Sequence, residues 1–193
     1  MTAREFFEAF KSIFDDPAVL PRLQEAWRDR ARFTKEVMPK IVAVLSGKSL
    51  ETQQEYYNID VIGWSDHTSE LNEIKKPEGI ALRTHFWHLD VAVEHENDQR
   101  DWTDELVKLL YINCPLRVVI GYYPEAFSGD ELEATVAYAS RIVSLANKDM
   151  DLIREGQRYL LILGRNHKDP ERLSGNTYSA YIYNNEERKF IDL

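Results

Sequence analysis

The chain has 193 residues, 44% of them hydrophobic and 11% aromatic, with a net charge of −9 and a single cysteine. That apolar content excludes a disordered chain and suits one domain with a substantial core. The acidic balance argues against indiscriminate nucleic-acid binding, which needs surplus Lys and Arg to displace counterions.

Cys114 alone supplies neither an intramolecular disulfide nor a metal cluster, so a reducing, cytoplasmic setting is expected. The stretch "MTAREFFEAFKSIF" mixes charges with apolar residues and does not read as a signal peptide. No apolar run reaches membrane-spanning length.

In chain order, helices come first. Thr2 and Glu5 have capping-box spacing, and Phe6, Phe7, Phe10 and Phe14 follow at near-helical intervals. Asp16 and Pro17 can cap and open a second helical region reaching Gly47, which Pro39 is expected to kink or divide. Phe33, Val37, Ile41, Val44 and Leu45 form its apolar face. "EYYNIDVIGW" (55–64) reads as a strand by its aromatic and β-branched content.

A polar stretch, "SDHTSELNEIKKPEG" (65–79), precedes a long strand from Ile80 to Glu96. "DWTDELVKLLYIN" (101–113) is an amphipathic helix carrying Trp102, Leu106, Leu109 and Leu110 on one side. "LRVVIGYY" (116–123) reads as a central strand. A helix from Gly129 to Ala146 uses Leu132, Val136, Ile142, Val143 and Leu145, and the strands "RYLLILG", "YSAYIYN" and "KFIDL" finish the chain. This order predicts an α/β sandwich around a mixed sheet, 1–193 forming a single domain.

One stretch, "WHLDVAVEHEN" (87–97), raises a question. Side chains alternate along a strand, so Leu89, Val91, Val93 and His95 share one face, while Asp90, Ala92, Glu94 and Glu96 share the other. Carboxylates stacked on one face repel unless water, a cation or a basic partner lies against them. A solvated edge face would answer this plainly, and a metal site would answer it more sharply. Asp60, set among Tyr57, Ile59, Val61 and Ile62, is harder to assign to bulk solvent, because an acid inside an apolar strand is usually paired or functional.

The order from Tyr56 to Tyr123 resembles the core of the PD-(D/E)XK, or restriction-endonuclease-like, superfamily. Asp60 matches that motif's Asp, Glu94 its second acid, and Glu96 stands at the lysine position. The resemblance implies a three-layer α/β/α fold with a central mixed sheet and a helical N-terminal segment (1–47). A nuclease core would span 53–123, with a helix and C-terminal strands over 129–193. It also implies a glutamate from the preceding helix, for which Glu36 is best placed and Glu25 is an alternative.

Several alternatives stay open. Asp66 or Asp90 could replace Asp60, and Lys75 or Lys76 could supply the missing lysine. In this picture Asp60 and Glu94 bind Mg²⁺ or Mn²⁺, Glu96 orients or deprotonates the attacking water, and Glu36 assists a second metal. The implied activity is hydrolysis of DNA phosphodiester bonds, and a homodimer would suit double-strand cleavage. The rival is an inactive member of the same fold acting as a protein-interaction module, which the lysine-to-Glu96 departure and the acidic surface favour.

Other chemistries lack an anchor. His85 and His88 face opposite sides of a strand, which disfavours zinc, and there is no G-x-S-x-G elbow, Walker A loop or G-x-G-x-x-G. The tyrosines and tryptophans fall mostly at core-compatible positions. "GRNHKDPERLSGN" (164–176) reads as a surface loop or a DNA-facing one.

Overall fold

The computed structural model describes residues 1–66, 87–148 and 152–193. Lys75, Lys76, His85 and the segment from Ile80 to Phe86 lie outside the described residues. Helix α1 (Ala3–Ser12) begins with the expected capping box. The Thr2 hydroxyl accepts from the Glu5 amide at 3.2 Å, and the Thr2 amide donates to Glu5 Oε2 at 2.7 Å. Phe6, Phe10 and Phe14 are buried, each contributing about 2 kcal/mol of apolar transfer.

The next helical region divides where the sequence did not predict it. Asp16 closes a turn through the Ala18 amide rather than capping a helix. Helix α2 (Leu20–Ala26) carries Pro21 in its first turn, and α3 (Arg30–Ser46) is capped by Asp29. Pro39 lies inside α3 without dividing it. Its missing N–H deprives the Lys35 carbonyl of a partner, but both residues are exposed and water can take that role. Phe33, Val37, Ile41 and Leu45, all buried, hold the helix together across the proline.

Where one strand is expected over 55–64, the chain forms a hairpin of β1 (Glu51–Tyr56) and β2 (Ile59–Asp66). Tyr57 and Asn58 turn it with φ of 48° and 62°, the left-handed pair that a type I′ turn requires. The polar run "ETQQ" becomes an edge strand, which gains from being charged and polar because, among the described residues, no strand pairs with its outer side.

Strand β3 (Trp87–His95) is followed by α4 (Trp102–Leu110), β4 (Leu116–Pro124), α5 (Gly129–Lys148), β5 (Arg158–Asn166), β6 (Tyr178–Asn184) and β7 (Lys189–Asp192). The seven strands form one sheet in sequence order. β3, β4 and β5 are parallel through the helical crossovers, and the remaining neighbours are antiparallel.

The sheet is covered on both faces. Val61, Val91, Val93, Val118 and Ile120 pack with the N-terminal helices. Ile62, Ala92, Val119 and Leu161 pack with α4 and α5. The architecture is therefore a three-layer α/β/α fold around a mixed sheet, with α1–α3 as one layer. Leu145 departs from the expected apolar face of α5, being 74% exposed. Among the described residues no helix is long and apolar enough to cross a membrane.

Candidate functional site

β3 is not an edge strand, so its acidic face is not a solvated one. β2 and β4 flank it, and helices cover both sides. The pairing of Val61 with Val93 brings Asp60 and Glu94 to neighbouring positions across β2 and β3. Asp60 Oδ2 accepts the His95 backbone N–H at 2.8 Å, which fixes the carboxylate against β3. Glu94 is only 2% exposed.

The basic partner comes from α4. Lys108 Nζ lies 2.7 Å from Glu94 Oε1, in an ion pair without hydrogen-bond alignment, and donates to the Asn58 carbonyl at 2.7 Å. Glu105, one turn earlier on α4, contacts the same ammonium. A third of the Lys108 side chain is exposed, so the cluster reaches solvent there.

The electrostatics follow from burial. Burial raises the Asp60 pKa, partly countered by the His95 N–H and by Lys108. Burial also pushes the Glu94 carboxyl up to about 8; the Asp60 and Glu105 charges add to this and Lys108 opposes it. Burial works against the Lys108 charge, yet Glu105 and Glu94 hold its pKa above the ordinary lysine value. The result is an acidic pair that keeps a cation close.

The other acids lie elsewhere. Glu96 has left the strand: its amide donates to the Ile120 carbonyl at 2.9 Å, and its Oε1 accepts the Asp98 amide at 2.6 Å. It therefore shapes the loop after β3. Asp90 accepts from the Ser65 hydroxyl at 2.6 Å, four residues and about 13 Å along the strand from Glu94. Asp66 ends β2 opposite Trp87, further still. Asp60 is thus the acid that β2 brings to Glu94.

Glu36 and Glu25 belong to the helical layer on the opposite face of the sheet, apart from this cluster. Among the described residues no group of three or more His, Cys, Asp or Glu side chains is arranged to hold a metal.

Lys108 and Glu105 are the members that the sequence reading missed. Their signal was present in "DELVKLL": an i, i+3 acid–base pair on one flank of the amphipathic helix that follows the acidic strand. The sequence places the lysine on the strand itself or in the 65–79 segment, whereas a lysine on the crossover helix stands beside the acids.

No family model matches the chain, and no curated protein is similar to it. Among solved structures it is similar to the central domain of yeast acetyl-CoA carboxylase, with 16% identity and a TM-score of 0.42. The similarity covers 97% of this chain and 29% of that one. A likeness of that size carries no functional argument.

Proposed function

We propose that the chain is a divalent-metal-dependent nuclease of the restriction-endonuclease-like type, hydrolysing DNA phosphodiester bonds at a centre built from Asp60 and Glu94. The observation that carries the reading is the buried carboxylate pair on neighbouring strands, with a lysine ammonium against it. The order α3, β1, β2, β3, α4, β4 is in keeping with the resemblance drawn from sequence.

The donor set suits a hard cation. Glu94 Oε1 is buried with the Lys108 ammonium 2.7 Å away, so the position beside it already takes a cation. Mg²⁺ commonly takes only one or two protein carboxylates and completes its shell with water and substrate phosphate, so two acids suffice. Asp60 and Glu94 would hold it. When bound, Mg²⁺ or Mn²⁺ supplies an acidified water and neutralises charge on the phosphate.

The chain's own groups do the rest. The His95 amide orients Asp60. Lys108, kept charged by Glu105 and tethered by the Asn58 carbonyl, would offer its ammonium to a phosphate oxygen. Glu96 holds the loop beside the pair rather than facing Glu94.

The Lys108–Glu94 ion pair also favours a second reading, in which the lysine neutralises the acid permanently and the chain acts as an inactive protein-interaction module. Calorimetric titration of Mg²⁺ and Mn²⁺ into wild type and Glu94→Ala separates the two. The nuclease reading expects saturable binding that Glu94→Ala abolishes, and DNA cleavage that a chelator stops. Because the metal must displace a proton from Glu94, affinity should rise with pH up to about 8. A wild type that binds neither metal, with or without a short DNA duplex, leaves the inactive module.

A further inference from the structure

A second feature occupies the other face of the sheet, at the carboxyl ends of the parallel strands. It is a cavity of about 380 Å³ between α2, α3 and the loop after β5. Trp27, Phe33 and Tyr122 form its apolar wall, and Asn97 and Asn166 contribute amides from the ends of β3 and β5. The rim carries Arg28, Arg30 and Lys168, all exposed. Among the described residues no carboxylate lines it, in a chain whose net charge is −9. That local reversal of sign is what an anionic ligand requires.

The cavity is built, not incidental. The Trp27 indole N–H donates to the His167 carbonyl at 2.7 Å, and Arg28 donates to the Lys168 carbonyl at 3.3 Å, which pins the 164–176 loop to α2. Glu125 takes both His167 and Arg172 from that loop. Beneath, the Tyr122 hydroxyl is fixed between His95 Nε2 at 2.9 Å and the Tyr178 hydroxyl at 3.3 Å.

The neighbouring acids are already engaged. Asp98 holds Arg30 at 2.5 Å and also approaches Arg100. Asp29 accepts the Arg32 amide as the α3 cap. Among the described residues no acid forms an ion pair with Arg28 or Lys168, so both carry free rim charge, and Arg30 begins a 17-residue helix whose positive end adds to theirs.

We infer that this cavity binds a phosphate monoester, as carried by a mononucleotide or by a 5′-phosphorylated DNA end. Arg28 and Lys168 take the phosphate, and the Asn166 amide supplies a further polar contact; the Asn97 amide N–H groups are already donated to the Arg30 carbonyl and the Thr34 hydroxyl and shape the wall. The volume falls within the range of small-ligand pockets, and the open carboxyl ends of parallel strands are where α/β sheets commonly bind ligands. This gives a role to Lys168 of "GRNHKDPERLSGN", while Arg172 pairs with Glu125 and Arg165 bonds the Tyr123 hydroxyl. The inference stands independently of the proposed metal centre, because the two lie on opposite faces of the sheet.

The test is titration of the full chain with adenosine 5′-monophosphate, adenosine, and a short single-stranded oligonucleotide with either a 5′-phosphate or a 5′-hydroxyl. The expected result is binding that requires the phosphate and weakens about tenfold or more in Arg28→Ala/Lys168→Ala, with the thermal midpoint checked for folding. Tighter binding of the phosphorylated oligonucleotide than of the mononucleotide identifies a DNA end; the reverse identifies a free nucleotide. Running the titrations with a chelator present keeps divalent metal at the carboxylate pair out of the readout. Absence of phosphate-dependent binding, or binding that the double variant leaves unchanged, overturns the inference.

Discussion

Glu94 and His95 are consecutive residues of one strand, both nearly sealed from solvent, and the protein treats them in opposite ways. His95 points among Phe33, Tyr122 and the N-terminal helices, where burial pushes its pKa down to about 3 and it packs as a neutral ring bonded to Tyr122. Glu94 points toward α4, where a second acid raises its pKa further and a lysine holds charge against it. A buried base can shed its charge and become part of a core. A buried acid beside another acid keeps a proton or takes a cation, and here the available cation, Lys108, reaches water. The difference leaves charge gathered on the Glu94 face and packs the His95 side chain into an apolar wall.

The largest effect should come from breaking the wall. Tyr122→Ala removes the ring that touches Trp27, Phe33, His95 and Tyr178, and chemical denaturation should report a loss of about 3–5 kcal/mol. A loss below about 1 kcal/mol would mean that this face is not a packed core.

Next comes Lys108→Met, which leaves Glu94 without its cation. Removing one partner of a buried pair costs several kcal/mol, but this lysine is a third exposed, so about 2 kcal/mol is the expected loss at pH 9. The loss should shrink at pH 6, where Glu94 can take up a proton instead. An equal loss at both pH values would show that the pair does not govern the site.

Much of this contrast was legible in the sequence, and the reasons for the rest are local. The alternation in "LDVAVEHE" identified the two faces of β3, and Asp60 stood out as an acid in an apolar run. The covering of the acidic face was not visible, because alternation reports period and not which layer lies above. The β1 strand was hidden by its polar composition, since an edge strand owes its place to backbone pairing rather than to burial. Pro39 looked like a helix break because propensity was weighed without the buried face that holds α3 together. Lys108 was missed because a crossover helix brings residues beside a strand at no fixed sequence spacing.

The smallest effect is also the sharpest comparison, because the two faces should give pH slopes of opposite sign. For Glu94 the folded pKa, about 8, lies above the ordinary 4.5, so the native state keeps a proton that the unfolded chain has lost. Stability from this group is full below about 4.5 and falls as pH rises toward 8. For His95 the folded pKa, about 3, lies below the ordinary 6.5, so the unfolded chain takes up a proton that the native state refuses. Stability from that group is full above about 6.5 and falls as pH drops toward 3. Glu94→Gln should therefore flatten only the alkaline side of the stability profile, gaining about 1 kcal/mol over wild type near pH 8. His95→Leu should flatten only the acid side. If Glu94→Gln instead lost stability at every pH, the ion pair with Lys108 would outweigh the burial of the charge. Glu94 would then be ionised throughout, and a metal would compete with the lysine alone and not with a proton.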